Sequence, residues 1–168
     1  MRDMGASADQ AAGVKRRAGE AWVYEKGLPR ICREPLVDHL GRRVLLATDL
    51  SDASRDVDAR AIELAEEAGA DLLILAIIRP EASGDGSFQK RLGARVRLAR
   101  RRGIDAEGRI VAGDPADSIL RVAASTGADA IVIGYDQWRG WASAGCVCGH
   151  VILHAPCPVL IKHLPTAA

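Results

Sequence analysis

An aspartate after an apolar run and a glycine-punctuated loop leading into a helix are the parts of this chain best placed to do chemistry. Asp49 follows VLLAT (Val44 to Thr48), and Gly134 closes AIVIG (Ala130 to Gly134). Between Gly134 and Gly145-Cys146 stands the loop YDQWRGWASA. A strand that passes through glycines into a helix N-terminus can cradle phosphate, because the first helical N–H groups are unpaired and the helix dipole is positive there. Asp49 has two readings, a residue of the ligand site at the carboxyl end of its strand, or a cap on the turn that follows it.

Other chemistry is poorly supported. Cys146, Cys148, His150, His154 and Cys157 crowd the next segment. On a helix opening at Gly145, Cys146, His150 and His154 share a face at helical spacing. The set has neither a CxxC pair nor finger spacing, so no metal is expected. Cys146 at a helix start has the setting of a redox-sensitive thiol. The run from Lys90 to Arg102 is very basic, with Leu92, Val96 and Ala99 as its apolar stripe. Its arginines are expected mostly to face water, and no aromatic interleaves them to stack on bases, so nucleic acid is not an expected partner. No Ser-His-Asp, Cys-His-Asn or HExxH pattern can be assembled. No catalytic residue is expected.

The elements that must position these groups follow from periodicity. VLLAT and LLILAII (Leu72 to Ile78) are continuous apolar runs, the mark of strands buried on both faces. Ser51 or Ser54 can cap the helix between them, which buries Val57, Ala61, Leu64 and Ala65 and stops at Gly69. After the linker Pro80 to Ser87 comes the arginine-rich helix, then a short strand at Arg109-Ile110-Val111. Asp114-Pro115 opens a helix with Ile119, Leu120, Val122 and Ala123 on its apolar face. AIVIG and PVLIKH are the remaining strands. Alternating strands and helices predict an α/β fold, a single Rossmann-like domain with a parallel sheet and helices on both faces. Ligands of such sheets sit beyond the strands' carboxyl ends, where strand order reverses.

Composition narrows the class further. In 168 residues, 23 basic and 22 acidic side chains nearly cancel, which gives no global pull toward nucleic acid or anionic membrane. No apolar run reaches the roughly 18–20 residues needed to span a bilayer, and the N-terminus lacks a secretory h-region. Four cysteines without secretory context point to reduced thiols and a cytoplasmic protein. Residues 1–41 read as an N-terminal extension, disordered at its start, whose stretch from Trp22 to Leu40 can dock on the domain at 42–165.

From Arg43 to about His163 the chain resembles the universal stress protein family. Four blocks carry the likeness, in order and at matching gaps: VLLATDLSDAS, AIELAEEAGADLLILAII, VAGDPADSILRVAASTGADAIVIG and HVILHAPCPVLI. The resemblance implies a five-stranded parallel sheet of order 3-2-1-4-5 and a homodimer through the last strand, here Val159, Leu160 and Ile161. It also implies ATP or AMP as ligand in some members. Asp49 then matches the acidic nucleoside contact, Ile77 the apolar position whose backbone reads the base, and Gly134 the first phosphate-motif glycine. Gln137 stands at the motif's second glycine and Cys146 at its Ser or Thr, and the loop from Gly134 to Gly145 is two residues short. The expected pocket comprises Thr48, Asp49, Ile77, Gly134, Gly145, Cys146 and Val147. The expected function is that of a non-catalytic, dimeric stress-response or regulatory protein that binds an adenine nucleotide weakly or not at all. The alternatives are an ATP/AMP-binding module with slow ATPase activity, or an interaction module that uses Trp138 and Trp141 as an exposed contact.

Overall fold

The computed structural model describes residues 21–25, 28–30, 40–82, 86–135 and 147–163. Among these residues seven strands form one sheet: β1 (Ala21–Glu25), β2 (Leu28–Arg30), β3 (Arg43–Thr48), β4 (Asp71–Ile78), β5 (Ala106–Ala112), β6 (Ala130–Tyr135) and β7 (Val159–His163). Among the described residues four α-helices connect β3 to β7: α1 (Arg55–Ala68), α2 (Ser87–Arg101), α3 (Pro115–Thr126) and α4 (Val147–His154). The strand order is β2-β1-β7-β6-β3-β4-β5. β3 to β7 are mutually parallel and, counted from β3, lie in the expected order 3-2-1-4-5.

The central strands form because Val, Ile, Leu and Ala fill both of their faces. Val44, Leu46, Leu72, Ile74, Ala76 and Val132 pack on one side with Val57, Ala61 and Leu64 of α1 and Leu92 and Ala99 of α2. Leu45, Ala47, Leu75, Ile77, Ile131 and Ile133 pack on the other with Ile119 and Val122 of α3 and Val151 of α4. The strict alternation is the period-two geometry of a strand. Each Leu or Ile buried in this way contributes roughly 1.5–3 kcal/mol, so the two cores hold the sheet without large aromatics.

Local chemistry sets the helix boundaries. Gly69 takes a left-handed conformation (φ 62°) and its N–H closes the last turn of α1 on Ala65 and Glu66. Asp114 caps α3 by accepting from Asp117 N–H at 2.9 Å, with Pro115 in the first turn. Ser54 stands at the cap position of α1 but makes no side-chain cap; its hydroxyl is turned to other work. β5 runs over seven residues, longer than its apolar triplet Arg109-Ile110-Val111 suggested.

The other edge of the sheet differs from the sequence expectation. β1 pairs antiparallel with β7, Ala21 opposite Lys162, Trp22 opposite Ile161, Val23 opposite Leu160 and Tyr24 opposite Val159. β2 folds back on β1 as a hairpin. Val159, Leu160 and Ile161 therefore lie on a strand with neighbours on both sides, not on the open edge taken above as the site of pairing with a second copy. A strand's backbone groups accept one neighbour per side, and β1 has taken this one.

Candidate functional site

The parallel sheet has its strand-order reversal at β3, which lies between β4 and β6. β3 stops at Thr48, which is in register with Ala76, while β4 continues to Ile78. On the other side Ala47 is in register with Ile133, and β6 continues through Gly134 to Tyr135. The two neighbours thus run past the end of β3, β4 by Ile77-Ile78 and β6 by Tyr135, which defines a notch above Thr48 between those strand ends, with Gly134 level with Thr48. Asp49 is the residue that enters it, half-buried. Ile77 lies inside β4 rather than after it, with its side chain in the core and only its backbone beside the notch. Gly113 rounds off the β4 side: its N–H donates to Ile78 O at 3.3 Å from a conformation (φ 144°) that glycine takes most freely.

The floor of the notch is a turn held by side chains. Asp49 Oδ1 accepts from Ser51 N–H at 2.9 Å, an Asx turn. Thr48 Oγ1 accepts from Leu50 N–H at 3.1 Å and donates to Ser54 Oγ at 3.1 Å. Between them Leu50 is held at φ 59°, left-handed for a non-glycine residue, with its side chain buried. Ser54 Oγ lies 2.9 Å from Ser51 O and 3.2 Å from Asp58 Oδ2. Arg95 of α2 closes the network, with Nε on Asp58 Oδ2 and an Nη donating to Ser51 O at 3.2 Å. Arg91 reaches Leu50 O at 3.5 Å.

Of the sequence-predicted pocket, Thr48, Asp49, Ile77 and Gly134 come together around this notch. Val147 opens α4 on the same side of the sheet as α3 and is buried against that core. Cys148, in the first turn of α4, sends its Sγ to Gly134 O at 3.6 Å, which ties the helix start to the end of β6. Gly145, Cys146, Gln137 and both loop tryptophans, Trp138 and Trp141, lie outside the described residues, as does the expected helix opening at Gly145. What the notch offers a ligand is a half-buried carboxylate, strand-end backbone on two sides and small residues at its wall.

A model of the universal stress protein family matches residues 41–163. The chain belongs to that family. Solved relatives agree. One universal stress protein solved in complex with cAMP is 29% identical over 73% of this chain and 97% of its own, with a TM-score of 0.60. The universal stress protein of Archaeoglobus fulgidus in complex with dAMP is 25% identical over 74% of this chain and 98% of its own, at 0.56. A family protein from Burkholderia pseudomallei is likewise 25% identical, over 76% and 98%, at 0.58. No curated protein sequence matches the chain significantly.

Among the described residues no three His, Cys, Asp or Glu side chains gather as metal ligands. His150 and His154 stack at 4.4 Å on the exposed face of α4, while Cys148 points inward to Gly134. Burial, then the charge of Asp129, pushes the Cys157 thiol up to about 11. Among the described residues no helix is long and apolar enough to cross a membrane.

The Asp58–Arg95 pair departs from the expectation that the α2 arginines mostly face water: the Arg95 side chain is 13% exposed and that of Asp58 4%. The signal was present in the spacing. Arg95 stands three residues after Leu92 and four before Ala99, and Asp58 stands three before Ala61. Each therefore shares its helix's buried stripe.

Proposed function

We infer that this chain is a non-catalytic universal stress protein that takes an adenine nucleotide, weakly, into the notch above Thr48, and that it works in the cytosol as a stress-response or regulatory protein. The notch is the observation that carries the reading. It stands where strand order reverses, it presents Asp49 between two overhanging strand ends, and such a crevice is where open parallel sheets hold ligands. Two relatives whose structures hold cAMP and dAMP support adenine as the base.

Weak affinity follows from what the notch lacks. Asp49 spends Oδ1 on Ser51, and Thr48 spends its hydroxyl on Ser54 and Leu50. The phosphate loop has Cys146 where a hydroxyl would add a hydrogen bond to a charged group, worth roughly 1.5–3 kcal/mol or one to two decades in affinity. Binding in this reading biases contacts with partners and makes or breaks no bond. The Cys157 thiol, which forms no disulfide, suits a reducing compartment.

A thermal-shift titration with cAMP, dAMP, AMP and ATP tests the reading. Stabilisation that grows with ligand concentration is expected from mass action, largest for the monophosphates. The absence of any shift at millimolar nucleotide would overturn it, and turnover of ATP by the purified chain would overturn its non-catalytic part.

A further inference from the structure

We propose that β5 and the groove beside it form a docking edge for an extended acidic segment of a partner protein, which adds to the sheet as one more strand. Among the described residues β5 pairs with β4 alone and ends the sheet. Its hydrogen bonds show which backbone groups face the open side. Asp105 O accepts from Leu72 N–H and Gly113 N–H donates to Ile78 O, both toward β4. Successive strand residues aim their N–H and C=O groups to opposite sides, so Gly108, Ile110 and Ala112 aim theirs outward. Ala106 O, in the same outward row, accepts from Arg100 Nε at 3.0 Å. No side chain of the described residues bonds to the other three. Such a row is a template for an added strand.

The groove along this edge selects the occupant's side chains. It measures about 520 Å³ between α2 and β5, with Leu92, Val96 and Ile110 as its apolar lining and Arg97 and Arg100 as its charges. Gly93 leaves the space into which Arg97 folds, with Nη1 only 3.2 Å from where a Cβ would stand. Lys90, Arg91, Arg95, Arg97, Arg100 and Arg101 stand on α2 with no acidic residue among them. Arg95 and Arg102 are paired with Asp58 and Glu66, but among the described residues no carboxylate meets Arg97 or Arg100. Glu107 and Arg109 lie on the opposite face of β5 and pair with each other at 2.8 Å, so the groove's charge stands unopposed. That charge argues against a second copy, since two β5 edges meeting about a twofold axis would bring like arginine rows together. Carboxylates on an added strand would meet the guanidinium groups with charge-assisted hydrogen bonds. The lining holds no aromatic side chain on which a nucleic-acid base could stack. The groove shares no residue with the notch above Thr48, so the proposal does not depend on nucleotide binding there.

The test uses the full chain, the blocked peptide ETVTETVTE, whose glutamates and valines share one face of a strand, and its lysine counterpart KTVTKTVTK. Amide exchange followed by NMR reads the edge directly. In the free protein Gly108, Ile110 and Ala112 should exchange fast, while Glu107, Arg109 and Val111 are protected by β4. Saturating ETVTETVTE should slow Gly108 and Ile110 by about tenfold or more and leave the inward amides unchanged. Arg97→Glu, at an exposed position, should raise the Kd of this peptide about fivefold or more. Slow exchange at Ile110 in the free protein, or binding that leaves this amide exchanging freely, overturns strand addition. Equal binding of the two peptides, or an unchanged Kd in Arg97→Glu, overturns the selection by charge. The absence of binding by ETVTETVTE at millimolar concentration overturns the whole proposal.

Discussion

Arg95 of α2 and Asp58 of α1 form a buried ion pair directly beneath the turn that carries Asp49. Neither residue touches the notch, but Arg95 also holds Ser51 O, and Ser51 N–H is the donor that fixes Asp49. Asp58 Oδ1 is buried without a hydrogen-bond partner. Burial pushes the Asp58 carboxyl up from its ordinary 3.8, against the pull of Arg95, Thr48 and Ser54. The pair therefore links the arginine-rich helix to the candidate site at a cost in desolvation, and such pairs stabilise little in net terms while being expensive to break.

A double-mutant cycle on that pair should show strong coupling. Asp58→Leu alone strands the guanidinium and should destabilise by about 3–5 kcal/mol, and Arg95→Met alone should cost a similar amount. The double variant should be more stable than either single one, which urea unfolding measures directly. The sign with pH is also fixed. A carboxyl raised in the folded state contributes stability that is fully present below its unfolded value near 3.8 and is lost as pH rises through the folded value. Arg95→Met removes the attraction that opposes burial. Its stability should thus fall more steeply than that of the wild type from acid toward neutral pH.

Leu50 offers a comparison in which the usual order of two substitutions reverses. Leu50→Ala removes a fully buried side chain, a loss of about 2–5 kcal/mol, and leaves the left-handed backbone in place. Leu50→Gly removes slightly more surface but relieves roughly 1–2 kcal/mol of left-handed strain. Glycine should therefore equal or exceed alanine here, where in a helix or strand it would be worse by about 0.5–1 kcal/mol. Thermal melts of the two variants side by side decide it.

Most of the parallel sheet was legible because buried parallel strands are written as unbroken apolar runs, as in VLLAT and LLILAII, and because Gly69 and Asp114-Pro115 mark helix ends with local chemistry. β5 was legible only in part. It lies at the sheet edge with Glu107 and Arg109 exposed, so its pattern is diluted by charge. β1 could not be placed by periodicity, since its five residues gain their strand state from β7, more than a hundred positions away. The notch residues were found by topology, but the turn beneath them was not. Its long-range ties run from Arg95 to Ser51 and to Asp58; helical spacing marks Arg95 and Asp58 as sharing buried stripes, but which partner each meets follows from tertiary packing.

Cys157 should behave as an unreactive thiol. Raised from the ordinary 9.0 to about 11 by burial and the neighbouring Asp129 charge, it stays protonated near neutral pH, and only the thiolate is a nucleophile. Iodoacetamide labelling followed by peptide mapping should show slow modification at neutral pH that accelerates toward pH 11, and fast modification in denaturant. The linkage runs the same way as for Asp58. This thiol's contribution to stability is fully present below 9.0 and is lost as pH rises toward 11.

Asp49 can be assigned to the ligand or to the turn by comparing two substitutions. Asp49→Asn keeps an Oδ1 acceptor for Ser51 N–H and removes the charge and one acceptor; Asp49→Ala removes both. If Asp49 only shapes the turn, Asn should leave stability and nucleotide response unchanged, while Ala should cost about 1 kcal/mol for the lost hydrogen bond. If its carboxylate also receives a ribose or base donor, Asn should keep the melting temperature of the free protein yet lose most of the nucleotide-dependent shift. A charge-assisted hydrogen bond is worth roughly 1.5–3 kcal/mol, so the apparent Kd should rise by about one to two decades. Titration calorimetry of both variants with cAMP reads the split, and an unchanged Kd in Asp49→Asn would remove the carboxylate from the site.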